Sequence, residues 1–250
     1  MIVYIPSKGR SKIKNWEKIK EAGFNFVVAL EPQDEQDYRS AGTQNLIVMD
    51  RNDAGLAYCR NYALDWCRRN GHDWMWMVDD DVTGYGGIDS NGKTVKMSSS
   101  VLGIVYEKLK QFKFPVGGIS YRQFCWGKLP SYRINRQSPD VCTLIYLPKI
   151  KWRYNESLTT KIDRDFFLKS IKYSDGMITL PRYCFSTPKM GSNVGGLHDI
   201  YAQKKYVEDA SRMISYWGSE YITLARKNGK LDIDIDWKGF AAANHRKIHP

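Results

Sequence analysis

Trp74-Met75-Trp76-Met77-Val78 is an apolar run, and Asp79-Asp80-Asp81 follows it without a break. Five apolar residues bounded by polar ones read as a strand buried on both faces. Three carboxylates at its end repel one another, and the strand draws them toward low dielectric. A divalent cation resolves that conflict, because Mg²⁺ or Mn²⁺ takes hard oxygen ligands from one or two carboxylates, water and phosphate. Alternate residues of a strand face the same way, so Asp79 and Asp81 converge on one side and Asp80 points elsewhere. If the backbone turns there, the pair shifts by one. The plain alternative is a solvated acidic turn, which the position after a hydrophobic strand disfavours.

Working outward from that strand, the first eighty residues alternate strand and helix. Apolar runs at 2–5, 24–30 and 46–49 read as strands, and polar or amphipathic stretches at 11–22, 33–41 and 54–69 read as helices. Such alternation with short connections predicts an α/β fold, with a mainly parallel sheet flanked by helices. Ligands of these sheets bind at the carboxyl ends of the strands. The second half is less regular. Residues 83–97, rich in Gly, Ser and Lys, predict a flexible loop or hairpin. Helices are expected at 98–112, 163–171 and 201–216, with strands at 116–119, 141–147 and 177–180. No repeat or long linker divides the chain, so one domain over 1–250 is expected, with 1–82 as its more regular half and 83–250 as the other.

Composition narrows the partners. The 38 Lys and Arg against 27 Asp and Glu give a formal charge of +11, which favours a polyanion or a nucleotide without choosing between them. The chain holds no apolar run long enough to span a bilayer. Its opening reads as a strand, not a signal peptide, so a cytoplasmic protein is expected. Five cysteines (Cys59, Cys67, Cys125, Cys142 and Cys184) include no C-x-x-C pair, and reduced, buried thiols are the expectation.

Three motifs carry a resemblance. Val78-Asp79-Asp80-Asp81-Val82 resembles the D-x-D-like signature of glycosyltransferases of the GT-A (Rossmann-like) fold. Asn52 to Leu64, NDAGLAYCRNYAL, is similar to the helix start that precedes it in those enzymes, and Ile5-Pro6-Ser7-Lys8-Gly9-Arg10 resembles their first nucleotide-binding loop. More narrowly, I-P-S-x-x-R with R-N-x-x-G-L-A (Arg51 to Ala57) and V-D-D-D resembles the phage TET-associated glycosyltransferases, which are thought to attach sugars to 5-hydroxymethylpyrimidines in DNA. The resemblance implies that Pro6, Ser7, Lys8, Arg10, Glu31, Gly55, Arg60, Asn61 and Asp79 bind a nucleotide-sugar, a UDP-sugar by expectation. It implies Mn²⁺ or Mg²⁺ on Asp79 and Asp81, with His198 of GSNVGGLHDIY completing the shell. Lys161-Ile162-Asp163-Arg164-Asp165-Phe166 resembles the acidic motif that supplies the base of inverting members. Ile162 stands where the pattern has Glu, so Asp163 and Asp165 remain rivals.

The metal would act as a Lewis acid on the diphosphate, and Asp163 or Asp165 would take the acceptor's proton. A 5-hydroxymethylcytosine acceptor in phage DNA predicts base exposure and a surface of cations among aromatics. Arg122, Trp126 and Arg133 in the less regular half are the candidates, with Lys128, Arg136, Tyr121, Phe124 and Tyr132 beside them. For a phage-encoded enzyme the compartment is the host cytoplasm. Two other readings compete: a glycosyltransferase acting on a polysaccharide or protein, and a non-catalytic basic DNA-binding module. The latter leaves the N-terminal motifs unexplained.

Overall fold

A computed structural model describes residues 1–136, 138–188, 205–227 and 230–244. Strands β1 (Ile2–Pro6), β2 (Phe26–Leu30), β3 (Leu46–Val48) and β4 (Trp74–Val78) lie parallel in the order β3-β2-β1-β4. Helices α1 (Asn15–Glu21), α2 (Glu35–Ser40) and α3 (Leu56–Arg69) make the crossovers. Every residue of β1 and β2 is buried, as it must be when helices cover both faces. The period-two alternation sorts the core. Val3, Ile5, Val28, Leu30, Trp76 and Val78 pack under Trp16 and Ile19 of α1. Ile2, Tyr4, Val27, Ala29, Met75 and Met77 pack on Ala63, Leu64 and Cys67 of α3. Each large side chain buried this way contributes about 1.5–3 kcal/mol.

Beyond β4 the sheet becomes mixed. Strand β9 (Cys142–Tyr146) pairs antiparallel with β4 and with β7 (Val116–Tyr121), and β10 (Met177–Ser186) continues parallel to β7. The Gly-rich 83–97 stretch is a hairpin of β5 (Gly84–Ile88) and β6 (Thr94–Met97) that closes the sheet's far edge against β10. Its glycines are packing residues. A Cβ on Gly86 would stand 2.8 Å from the Val95 carbonyl oxygen, and one on Gly87 2.7 Å from Met97 Sδ. A short strand, β8 (Arg133–Ile134), also pairs with β10. Helix α4 (Val101–Leu109) lies on the α1 face, and α5 (Ile162–Tyr173) lies on the α3 face.

The C-terminal part holds more structure than its sequence pattern suggests. After α6 (Lys205–Trp217) come a separate two-stranded sheet, β11 (Ile222–Lys227) with β12 (Lys230–Ile235), and α7 (Trp237–Asn244). Ala210, Met213, Ile222, Ile233 and Phe240 join the apolar cluster of α3 and α5. Phe240 meets Trp217 and Tyr221 edge-on, with ring centroids 5.5 and 5.4 Å apart. All five cysteines are buried and free. No helix among the described residues is long and apolar enough to cross a membrane.

This topology gathers the expected site at one edge of the sheet. The ends of β1, β2, β4, β7 and β10 meet there, with the start of β9, because Val78 pairs with Cys142 and Phe185 with Tyr121.

Candidate active site

The loop after β1 locks the middle aspartate. Ser7 Oγ donates to Asp80 Oδ2 at 2.5 Å and Arg10 Nη1 donates to Asp80 Oδ1 at 2.6 Å. Tyr38 of α2 secures both donors, lying 2.6 Å from Ser7 Oγ and accepting from the Arg10 amide at 2.9 Å. Asp80 is thus the structural member of the triplet, 7% exposed and charge-paired. Pro6 ends β1 and aims this loop, since its ring fixes φ before the turn.

Asp79 and Asp81 stay partly exposed, their side chains 29% and 25% accessible. Asp79 has one open face and dense protein elsewhere. Burial pushes its carboxyl up to about 7; Asp81 and Asp80 add to the rise, while Arg60 and Arg10 oppose it. Arg10 reaches Asp81 only at 3.6 Å. Asp79 and Asp81 thus keep exposed side-chain surface, while Asp80 is turned in.

Arg60 lies on the buried face of α3, 2% exposed. Its Nη2 is 3.2 Å from Asp79 Oδ1, its Nη1 contacts Asp163 Oδ1, and its guanidinium faces the Tyr154 ring at 5.6 Å. One buried cation therefore ties the aspartate turn to the start of α5. Gly55, at φ 88° before the first turn of α3, adopts a conformation that favours glycine. That turn has no side-chain cap, which leaves its N–H groups for an anion. Asn61, one residue on, is committed to the fold. It accepts from the Tyr154 amide at 2.9 Å and donates to the Tyr154 carbonyl at 3.0 Å and to Glu156 at 2.8 Å.

At the end of β2, Glu31 accepts from Lys8 (2.8 Å), Gln33 Nε2 (2.7 Å) and the Asp53 amide (2.9 Å). Lys8 also pairs with Asp53, tying the β1 loop to the segment before Gly55.

The two rival aspartates of α5 part company. Asp163, 22% exposed, meets Arg60 at the site. Asp165 turns into the core at 2% exposure and accepts from Trp217 Nε1 at 3.0 Å and Lys169 Nζ at 2.6 Å. His198 lies outside the described residues. Among the described residues no three His, Cys, Asp or Glu side chains are grouped to hold a metal. Two carboxylates remain, which suits a hard cation that completes its shell with phosphate oxygens and water.

Two further residues feel the site: Asp140 carries no sequence signal, and Tyr121 stands out in the sequence only as an aromatic beside the acceptor candidates. Asp140, just before β9, is pushed up by burial and held in check by Arg164, Ser138 and Arg60. Tyr121, ending β7, is raised by burial and by the fields of Asp140 and Asp79. Neither belongs to a motif; only the antiparallel insertion of β9 beside β4 brings them in.

Among the described residues the carboxylates of Asp79, Asp80 and Asp81 pair with Ser7, Arg10 and Arg60, not with the acceptor candidates Arg122, Trp126 and Arg133. Arg122 lines a cleft of about 630 Å³ with Lys18, Thr83, Tyr85, Lys96 and Ser186, beyond the turn. Trp126 is 70% exposed, with Phe124 (51%) and Tyr132 (47%) exposed nearby in sequence. The segment is pinned to the β5–β6 hairpin by the Gly127 amide, which donates to the Gly92 carbonyl at 3.1 Å, and by Thr94, which donates to the Cys125 carbonyl. Arg133 sits on β8. A smaller cavity of about 320 Å³ on the outer side of α3, between Tyr58, Tyr62 and Arg153, contains none of the site aspartates.

No curated protein matches the chain. The sequence model of the family described as TET-Associated Glycosyltransferase matches residues 1–195. That span runs from β1 past β10 and includes Ser7, Arg10, Glu31, Gly55, Arg60, Asp79, Asp81 and Asp163. With most of its length and all of these residues inside the match, the chain belongs to the TET-associated glycosyltransferase family and is a glycosyltransferase.

Proposed function

We propose that this enzyme transfers a sugar from a nucleotide-sugar, a UDP-sugar in the first instance, to the hydroxyl of a 5-hydroxymethylpyrimidine in phage DNA. The leading acceptor is 5-hydroxymethylcytosine, and the host cytoplasm is where enzyme and DNA meet. The observation that carries the donor half is the partition of the triplet. Asp80 is consumed by Ser7 and Arg10, whereas Asp79 and Asp81 stay open with an excess of negative charge.

Mn²⁺ or Mg²⁺ held there, with His198 as a further ligand, would act as a Lewis acid on the diphosphate. The chain's own groups do the rest. Lys8 and Arg10 flank the diphosphate path and supply charge-assisted hydrogen bonds. The uncapped first turn of α3 after Gly55 offers N–H groups to phosphate oxygen. Glu31, at the end of β2, takes the ribose or uracil. Asp163 takes the proton of the acceptor hydroxyl as its oxygen bonds to the anomeric carbon. The bond from that carbon to the diphosphate breaks, its electron pair leaving with the diphosphate. A single displacement of this kind inverts the anomeric centre. Arg60 holds Asp163 and Asp79 at fixed separation, so base and donor site share one anchor.

The acceptor half rests on the cationic and aromatic surface beside the cleft. An exposed Trp126 with Phe124 and Tyr132, among Arg122, Lys128 and Arg133, suits unstacked bases and phosphate. The test is incubation of 5-hydroxymethylcytosine DNA with Mn²⁺ and a panel of UDP-sugars, followed by digestion and mass spectrometry. The expected result is a nucleoside heavier by one sugar. Transfer to a glycan or protein while the DNA gains nothing would reject the DNA acceptor. DNA binding with no donor turnover on any acceptor would favour the non-catalytic module.

A further inference from the structure

The start of α5 is held by groups that lie outside the matched span. Lys161, two residues before Asp163, is left-handed at φ 60°, and its side chain makes no capping hydrogen bond to the helix that follows. A non-glycine residue in that region is strained and persists only where its surroundings over-determine it. Here they do so from both sides. Asp209 of α6, 1% exposed, accepts from the Thr159 amide at 3.0 Å, the Thr160 amide at 2.5 Å and Thr160 Oγ1 at 2.8 Å. Asp232 of β12 accepts from Lys161, the residue that precedes the helix, and, at 3.1 Å, from Arg164, the residue that follows Asp163. Arg212 of α6 donates to the Ser157 carbonyl at 2.6 Å. Trp217 takes Asp165 into the core, which sets the rotation of the helix about its axis.

We propose that residues 205–227 and 230–244 form a brace that places Asp163 against Arg60, with Asp209 and Asp232 as positioning residues for proton removal. The inference rests on Asp163 being the base of the site described above. A buried carboxylate that takes three donors from two successive residues fixes a backbone, not a surface loop, and a second one gripping both flanks of Asp163 fixes the turn that follows. Removing either grip lets Lys161 relax and moves a carboxylate whose reach to the acceptor oxygen must be held within a fraction of an ångström.

The test uses the full chain with Asp209→Asn, Asp232→Asn, Asp232→Glu, Asp163→Asn and, as control, Asp175→Asn. The control breaks the Lys149–Asp175 pair at the opposite edge of the sheet. Turnover is measured with 5-hydroxymethylcytosine DNA and the UDP-sugar panel, and deuterium exchange is followed at amides 159–165. Asp209→Asn and Asp232→Asn are expected to lower kcat by about 10- to 100-fold with donor KM within about twofold. Exchange at 159–165 should speed up in both, Asp232→Glu should recover most of kcat, and Asp175→Asn should change neither readout. If Asp209→Asn does not fold, the Asp232 pair carries the same comparison. An inactive Asp163→Asn beside an Asp232→Asn with wild-type kcat would overturn the brace alone, as would unchanged exchange at 159–165. An Asp163→Asn with wild-type turnover would overturn the reading of the base, and the brace with it.

Discussion

Arg60→Met removes the buried cation that faces both Asp79 and Asp163 while keeping most of the side-chain volume. Arg60 is 2% exposed, so its charge is fully desolvated. Breaking a buried pair by deleting one partner costs about 3–5 kcal/mol, because the other charge is left uncompensated. Asp79 and Asp163 each keep an open face, at 29% and 22% exposure, so water relieves part of the loss and the lower end of about 3 kcal/mol is expected. In a chain of this length each kcal/mol moves Tm by about 2–4 °C, giving a fall of about 6–12 °C. The pH dependence has a defined sign. Asp79 is raised to about 7 with Arg60 opposing the rise, so its carboxyl goes higher still in the variant. A group raised in the folded state contributes stability that is present below its unfolded value and lost as pH rises through the folded one. The deficit of Arg60→Met must therefore be larger at pH 8 than at pH 5. Urea unfolding of both proteins at the two pH values measures it. A deficit under about 1 kcal/mol, or one that is the same at both pH values, would refute the claim that Arg60 is a buried anchor for the two aspartates.

Three further outcomes follow from particular contacts. Trp126→Ala should leave Tm and donor binding unchanged, since the side chain is 70% exposed; it should weaken binding of hydroxymethylated DNA by the about 1–3 kcal/mol of a lost stacking contact, as read by fluorescence anisotropy. Gly118→Ala puts a Cβ 2.2 Å from the Cys142 carbonyl oxygen and 2.6 Å from Pro139 Cβ; overpacking against backbone should cost about 3 kcal/mol, measured by thermal melting. Asp232 feels burial pushing it up, but Arg164 and Lys161 outweigh that and bring it down to about 2. Its stabilisation, about 2–3 kcal/mol from the depressed carboxyl, is therefore full above about pH 4 and lost toward pH 2. The stability gap between wild type and Asp232→Asn should close over that interval in urea titrations, and parallel curves would contradict it.

The first half of the fold was legible because β1, β2 and β4 are buried almost throughout and, with the half-buried edge strand β3, read as unbroken apolar runs separated by helix-period stretches. The same logic located Asp79–Asp81, since a charge cluster at the end of such a strand needs a partner. The second half was harder for physical reasons. Gly84 to Gly87 look like a loop, yet Gly86 and Gly87 are small because Val95 and Met97 press on them from the paired strand. The hairpin of β11 and β12 interleaves Ile and Leu with Asp and Lys on short strands, a weak signal that only packing on α6 and α7 makes sense of. Within the site, Asn61 sits in a motif that suggested phosphate, whereas its amide is spent on the Tyr154 backbone. Asp163 and Asp165 could not be separated by motif alone. Their burial separates them, because Trp217 and Lys169 claim Asp165.

The proposed donor site on Asp79 and Asp81 makes nucleotide binding cation-dependent, and titration of UDP into the protein with Mn²⁺ or with a chelator reads that dependence. Wild type should bind UDP with Mn²⁺ and lose at least about tenfold in affinity, roughly 1.4 kcal/mol, when the metal is chelated. The double variant Asp79→Ala with Asp81→Ala should bind at the chelated level whether Mn²⁺ is present or not. Equal, Mn²⁺-enhanced affinity in the double variant and wild type would rule out a cation site on these two aspartates.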